Sequence, residues 1–132
     1  MKKRAVVFII SAAIVVILIV GSIFIFTPKR IVNISDYIDG LRVTYHNTQI
    51  PVNQNDIIEI LCKYNSVATI RNVAPYETAK ADFEIDLVAN SKPIHIVLGE
   101  FNIWYESGDG FVHDILDAET LNDELRNVLS LK

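Results

Sequence analysis

The sequence predicts an α+β protein in which an N-terminal transmembrane helix precedes a small domain. Within that domain we expect a strand, a helix, a four-stranded antiparallel meander and a last helix, with both helices on one face of the sheet. Three patterns support this prediction: a long uncharged apolar run near the N-terminus, alternation of apolar and polar residues in several segments, and two segments with apolar residues at helical spacing. The length of 132 residues allows one anchor and one such domain.

The apolar run is typical of a membrane anchor. No charged residue interrupts it between its limits, Ala5 and Phe26, and a helix over these residues measures about 33 Å, enough to cross a hydrocarbon core of about 30 Å. A core helix would show a polar stripe, whereas this run is apolar all round. The rival interpretation is a signal peptide cleaved near Gly21, but the apolar run continues beyond that position. We therefore expect an uncleaved anchor at residues 1–27.

The charges on either side of the run predict its orientation. Lys2, Lys3 and Arg4 precede it, and Lys29 and Arg30 follow it. The positive-inside rule compares such flanks, and here it gives a small bias towards a cytoplasmic N-terminus. We therefore expect a cell-membrane protein with an extracytoplasmic domain.

The remainder of the chain is acidic. Because Pro28 cannot continue a helix, we interpret residues 28–40 as a short juxtamembrane connection and residues 41–132 as the domain. Seven of the 12 basic residues and all 16 acidic residues follow Arg30, a net charge of about −9. Such a domain is repelled by phosphate backbones, which excludes nucleic acid as an expected partner, and it does not lie flat on an anionic bilayer.

The domain is expected to open with a strand and a helix. Residues 41–45 alternate between apolar and polar, as in a half-buried strand. A helix follows with Asn53 or Asn55 as its N-cap. Its apolar stripe consists of Ile57, Ile58, Leu61 and Tyr64. The next segment, 66–80, has no regular pattern, and we expect a mobile or ligand-facing loop there.

Two turns predict the register of the meander. The first places Ala89 opposite Ile94, and the second, with Gly99 at its first position, places Leu98 opposite Phe101. Both turns then point the same apolar set towards the core, and a one-residue slip in either would break that agreement. The inward set is Ile85, Leu87, Ile94, Ile96, Leu98, Phe101, Ile103 and Tyr105. The outward set includes Glu84, Asp86, His95, Val97 and Trp104.

A third turn at residues 107–110 leads into the last strand. An even-numbered loop would turn Val112 and Asp114 inward, whereas a three-residue loop with a glycine bulge would turn in Phe111, His113 and Ile115. We favour the second because it leaves Asp114 in water. The final helix is expected to begin with Asp117 as its cap. Its apolar stripe consists of Leu121, Leu125, Val128 and Leu129.

The sequence contains no recognised catalytic motif, so we expect neither an enzyme nor a cofactor or metal site. The histidines His46, His95 and His113 lack ligand-type spacing. A reactive Cys62 would need an electropositive, accessible setting, but it lies in the middle of a predicted helix. The acidic alternation of residues 82–86 lacks the oxygen-rich loop that calcium prefers.

Trp104 is the leading candidate for a partner-binding residue. In the predicted register it is exposed on the same face as Asp86 and His95, and an exposed tryptophan is typical of a binding hot spot. These three residues form the candidate partner-binding surface. The structural alternative is that Trp104 caps a sheet edge or is covered by the 66–80 loop.

The chain combines a basic N-terminus, one anchor, the segment IPVNQNDIIEIL, the alternating meander and a final helix with the pattern L-x3-L-x2-VL. This combination resembles a broad group of small single-span membrane-anchored proteins of Gram-positive bacteria. The resemblance covers nearly the whole chain and implies a bacterial membrane protein. It transfers no site residue.

Two functions are compatible with these observations. The favoured one is an interaction or accessory module that is held in the bilayer by its helix and binds a membrane-protein partner or an envelope component. The alternative is a small-ligand sensor or hydrolase whose site is built from the 66–80 loop, His95 and His113.

Overall fold

The computed structural model describes residues 2–106 and 108–131. Met1, Lys132 and Ser107, the last a part of the third predicted turn, lie outside these residues. The helices are α1 (Lys2–Phe26), α2 (Gln54–Leu61), α3 (Ala74–Glu77) and α4 (Ala118–Val128). The strands are β1 (Lys29–Arg30), β2 (Ile38–Tyr45), β3 (Thr48–Ile50), β4 (Asn65–Thr69), β5 (Ala81–Ala89), β6 (Lys92–Gly99), β7 (Ile103–Glu106) and β8 (Val112–Ile115).

The strands form one antiparallel sheet in the order β1-β4-β8-β7-β6-β5-β2-β3. The expected meander is present as β5 to β8 at the centre of the sheet. Strands β4 and β1 extend it beyond β8, and β2 and β3 extend it beyond β5. The α+β fold class is therefore confirmed, although the sheet is wider than the sequence predicts.

The main core lies between the sheet and the helices α2 and α4, which pack on one face as predicted. We call this the helix face. The helices bury Ile57, Ile60, Leu61, Leu121 and Leu125. The sheet contributes Val43, Phe83, Ile85, Leu87, Ile94, Ile96 and Leu98. Apolar stripes on two helices thus meet one continuous apolar face of the sheet.

The two helix starts differ in their capping. Asn53 is the N-cap of α2, and its side-chain oxygen accepts a hydrogen bond from the Asn55 N–H at 3.0 Å. Asp117 occupies the predicted N-cap position of α4, but it does not cap the helix. Its backbone is left-handed, with a φ of 56°, and its side chain makes no capping hydrogen bond.

The opposite face of the sheet, which we call the groove face, carries a second and smaller core. The single-turn helix α3 covers part of it, and Tyr76 from α3 packs against Val97, Ile103 and Val112. The Tyr76 and Phe101 rings meet edge to face, with centroids 4.8 Å apart. Both faces of the sheet are therefore partly apolar.

The β5–β6 hairpin differs from prediction by two residues. Ala89 pairs with Lys92 and Leu87 pairs with Ile94, so the loop is the two-residue turn Asn90 and Ser91, with φ values of 50° and 68°. Positive φ at both positions is the requirement of a type I′ hairpin turn. Because the shift is even, every side chain keeps its predicted face.

The β6–β7 connection differs by one residue, and this reverses β7. Val97 pairs with Ile103 and Ile96 pairs with Trp104. A connection longer than the predicted two-residue turn is closed by a hydrogen bond from the Gly99 N–H to the Asn102 side-chain oxygen at 3.2 Å. The slip turns Trp104 into the main core and Ile103 into the second core. The predicted inward orientation of Ile103 and Tyr105 is therefore wrong.

The segment 66–80, predicted as an irregular loop, is in part regular. Its beginning belongs to β4, which lies between β1 and β8, with Ser66 opposite Ile115 and Thr69 opposite Val112. Its later part contains α3. The stretches 70–73 and 78–80 lack regular structure, so the predicted ligand-facing loop is divided into two short pieces.

The junction between α1 and the sheet is short and ordered. Helix α1 ends at Phe26 as expected, and β1 pairs with β4 directly afterwards. Ile31 and Val32 are buried in the main core, and the Ile31 N–H donates to the Tyr64 carbonyl oxygen at 3.2 Å. The domain therefore begins within the predicted connection 28–40 and not after it.

The end of α1 also touches the domain through aromatic rings. Phe26 meets Phe111 of the β7–β8 loop edge to face, with centroids 6.1 Å apart. Helix α1 is long and apolar enough to cross a membrane, and the domain covers none of its most apolar stretch. A signal sequence near an N-terminus has the same composition.

Candidate partner-binding surface

A groove of about 710 Å³ lies on the groove face of the sheet. Strands β2, β5, β6 and β7 form its floor, and the α3 segment and the β7–β8 loop form its sides. The charged residues of its lining are Glu77, Asp86, Glu106, Asp109 and Arg42. Its apolar lining includes Val73, Val88, Pro93, Tyr105 and Phe111. The groove is thus acidic with apolar walls.

Two of the three predicted surface residues meet in this groove. Asp86 and His95 are paired across β5 and β6, and the Asp86 Oδ1 and His95 Nδ1 atoms lie 2.5 Å apart. The other ring nitrogen of His95, Nε2, lies 3.8 Å from a carboxylate oxygen of Glu84. Alternation along β5 explains this arrangement, because residues 84 and 86 point to the same face.

Tyr105 brings a hydroxyl to the same group. Its ring lies beside that of His95, with centroids 5.2 Å apart. Burial raises the pKa of Tyr105 to about 12, and the carboxylates of Glu77, Asp86 and Glu84 add to the increase. The phenol therefore remains protonated at neutral pH and can donate a hydrogen bond within an acidic setting.

Trp104, the third predicted residue, is not on this surface. It is 6% exposed and lies on the helix face, opposite to Asp86 and His95. Its Nε1–H donates to the Ser66 hydroxyl at 2.7 Å. The predicted exposure of Trp104 is wrong because of the one-residue slip in β7, and its environment is that of a core residue.

His113 is on the helix face together with Trp104. The two rings stack with centroids 4.0 Å apart and an angle of 13° between their planes. The Nε2 of His113 lies 2.8 Å from a carboxylate oxygen of Asp109. Because His95 is on the other face, the structure does not bring His95 and His113 into one site.

The described part of the chain contains no group of three or more histidine, cysteine, aspartate or glutamate side chains that could hold a metal ion. Cys62 is half-buried. Burial and the nearby Asp36 raise the pKa of its thiol, and Arg30 partly opposes the increase. The thiolate is therefore disfavoured at neutral pH. The predicted position of Cys62 in the middle of a helix is wrong, because α2 ends at Leu61 and Cys62 is its C-cap residue.

Sequence reasoning missed most of the groove. Arg42, Glu77, Glu106 and Asp109 come from four separate elements, and no spacing in the sequence relates them. The sequence indicated only that the domain as a whole has an excess of acidic residues.

Comparisons with protein-family models, curated proteins and solved structures find no significant match. The resemblance to small membrane-anchored proteins therefore stays a hypothesis.

Proposed function

We propose that this chain is a single-span membrane protein whose acidic domain, outside the cytoplasm, binds the basic juxtamembrane segment of a partner membrane protein. The observation that carries this proposal is the position of the groove. The β7–β8 loop that closes one side of the groove also contacts Phe26 at the end of α1. A helix in the bilayer thus holds the groove close to the membrane surface.

The short junction supports a fixed orientation of the groove. Only Thr27 and Pro28 separate α1 from β1, and β1 is joined to β4 by the sheet ladder. A long flexible stalk would let the domain sample many heights above the bilayer. With this junction, the groove stays within reach of short segments that leave the membrane beside it.

The chemistry of the groove favours a cationic segment with apolar side chains. Four acidic residues and one arginine line it. The Glu106 carboxylate is paired with Lys92 at 3.3 Å and the Asp109 carboxylate with His113 at 2.8 Å, so Glu77 and Asp86 are the acidic residues that we expect to meet a cationic partner, beside the protonated Tyr105 hydroxyl. A volume of about 710 Å³ lies in the range of ordinary ligand pockets. Complementary charge at such a surface accelerates encounter and selects the partner.

The small-ligand alternative has less support. It requires His95 and His113 in a common site, and they lie on opposite faces of the sheet. A reduced version, with His95 and Asp86 alone in the groove, remains compatible with the geometry. We propose a non-enzymatic module because the groove offers charge and shape for binding.

A matched pair of glutamates tests the proposal. Glu77 lines the groove, whereas Glu119 is exposed in the first turn of α4 on the helix face. A photo-crosslinking amino acid at position 77, in the full chain in native membranes, is expected to give one discrete membrane-protein adduct. The same group at position 119 is expected to give none.

Charge reversal supplies the control. The crosslinker is then placed at Val73, and Glu77→Lys is expected to lower the amount of adduct roughly tenfold. The new lysine repels the basic segment of the partner, and a factor of ten corresponds to about 1.4 kcal/mol of binding free energy. Glu119→Lys is expected to leave it unchanged. Equal adducts from positions 77 and 119, or no sensitivity to Glu77→Lys, would refute the groove as the binding surface.

A further inference from the structure

Three apolar side chains of the domain are much more exposed than the others. Outside α1, the exposed large apolar residues of the described chain are Ile34, Tyr37, Ile70, Leu116 and Val128. Ile34, Ile70 and Tyr37 are 92%, 79% and 74% exposed, whereas Leu116 and Val128 are 40% and 47% exposed. Single apolar residues on a surface are common, but three large side chains with exposures this high need an explanation.

The topology places Ile70 on the side of the sheet from which α1 leaves. Strand β4 runs antiparallel to β1, with Ser66 opposite Lys29. Phe26 precedes β1 and Ile70 follows β4, so both extend beyond the sheet in the same direction. Phe111 of the neighbouring loop contacts Phe26 in this region.

Tyr37 lies at the same end of the sheet as Ile70. It is hydrogen-bonded to Asn90 of the β5–β6 turn, and in an antiparallel meander this turn is at the same end as the β7–β8 loop, which contacts Phe26. Ile34 precedes Tyr37 by three positions, so it is at most about 11 Å from it and lies near this end as well.

Ile34 and Tyr37 are held in place although their side chains are exposed. The Asp36 N–H donates to the Asn33 carbonyl oxygen at 3.0 Å, and the Asn33 N–H donates to the Asp36 carboxylate at 2.9 Å. Two further hydrogen bonds, each 2.9 Å, join Tyr37 to Asn90 of the β5–β6 turn. A closed turn thus presents Ile34 to solvent at a fixed position.

We propose that Ile34, Tyr37 and Ile70 form a second membrane contact, which enters the interfacial layer of the same bilayer that α1 crosses. We call these three residues the apolar rim. This inference rests on the proposed function, because it requires α1 to be an anchor. The occupant is lipid because the rim lies at the end of the sheet from which α1 enters the bilayer.

The polar groups around the rim suit the interfacial layer. The Lys29 ammonium lies 4.8 Å from the centroid of the Phe24 ring, a cation–π contact at the end of α1. Arg30 follows directly, and tyrosine is enriched at this depth of a bilayer. The acidic groove opens on the groove face, so a rim contact does not press its carboxylates against anionic lipid.

Fluorescence quenching by brominated lipid in reconstituted vesicles tests the rim. The full chain with Cys62→Ser carries one environment-sensitive label on a new cysteine at Ser35, beside Ile34. Bromine is placed near the top of the acyl chains of phosphatidylcholine. We expect strong quenching and a blue-shifted emission from the label at position 35. A label at Glu119→Cys, on α4, should emit as in water.

Two comparisons make the test decisive. In the Ser35→Cys background, Ile34→Asn together with Ile70→Asn should return the label to water-like emission, and both side chains are exposed enough that folding should not suffer. A label at Ile23→Cys, near the end of α1 and at the depth of the bromine, reports the anchor separately. Quenching at 23 without quenching at 35 would overturn the rim and leave the anchor in place, as would quenching at 35 that survives the double substitution. Failure to quench at 23 would refute the anchor itself. The vesicles contain no other protein. If the rim binds a partner protein and not lipid, position 35 is not quenched, and the lipid contact is refuted.

Discussion

Replacing Trp104 with alanine is expected to lower the free energy of unfolding by about 3–5 kcal/mol, the usual cost of removing a large buried aromatic side chain. Trp104 is 6% exposed in the main core and stacks on His113. Its removal leaves a cavity, and it also leaves the buried Ser66 hydroxyl without its donor. Chemical unfolding of the full chain in mild detergent, followed by far-ultraviolet circular dichroism, measures the change.

Trp104→Phe separates the two contributions. It keeps most of the aromatic volume and removes the donor to Ser66, so the expected loss is smaller, about 1–3 kcal/mol. Trp104→Ala with native stability but without partner binding would contradict the burial and restore Trp104 as a binding residue.

Gly99→Ala is expected to lower the free energy of unfolding by roughly 2–6 kcal/mol, because backbone strain and overpacking add at this position. Gly99 has a φ of 139°, a conformation that residues with a Cβ rarely adopt. A Cβ there would lie 2.7 Å from the Asp82 backbone nitrogen and 3.2 Å from the Ala81 Cα. Both atoms belong to β5, so relief would require the β5–β6 ladder to shift.

Gly40→Ala is the matched control for this substitution. Gly40 also has a positive φ, 61°, but no atom lies within 4 Å of the place that a Cβ would occupy there. Its expected cost is the conformational term alone, about 1–2 kcal/mol. The same unfolding measurement compares the two variants, and equal losses would show that the close approach to β5 is not tight.

The parts of the fold that could be predicted are those in which one physical pattern dominates. The long apolar run predicts α1, and the helical spacing of apolar residues predicts α2 and α4. Two members of the predicted stripes differ: Tyr64 lies beyond the end of α2, and Val128 is exposed. The β5–β6 hairpin kept its faces because β5 has a clear alternation, with Ile85 and Leu87 buried and Glu84 and Asp86 half-buried on the groove face.

The register of β7 could not be read from alternation, because both faces of the sheet are apolar there. Trp104 fills the main core, and Ile103 fills the second core beneath Tyr76. Either orientation of the strand buries a large apolar residue. The decision depends on α3, which the sequence did not reveal. Strand β4 was not predicted because its small and polar residues show no clear alternation. They form a strand through pairing with β8.

The candidate surface was predicted in part. Asp86 and His95 lie together because they occupy neighbouring strands of a correctly identified hairpin, and an even shift leaves them on the same face. The remaining groove residues come from loops and from α3, whose positions depend on tertiary packing. Charge excess predicted an acidic domain but gave no position for the acidic groups.

The most direct test of an anchored, extracytoplasmic domain is its accessibility to a reagent in intact cells. The full chain with Cys62→Ser receives one cysteine at Glu119, an exposed position on α4 away from the apolar rim. Cells are treated with a membrane-impermeant maleimide, and a lysed sample of the same cells shows the total amount that can react.

If the domain is anchored and extracytoplasmic, position 119 is labelled in intact cells, on a chain that stays in the membrane fraction at its full length. Labelling only after lysis would contradict this topology and place the acidic groove on the cytoplasmic side. Recovery of the labelled domain as a shortened, soluble chain would contradict the anchor and identify α1 as a cleaved signal sequence.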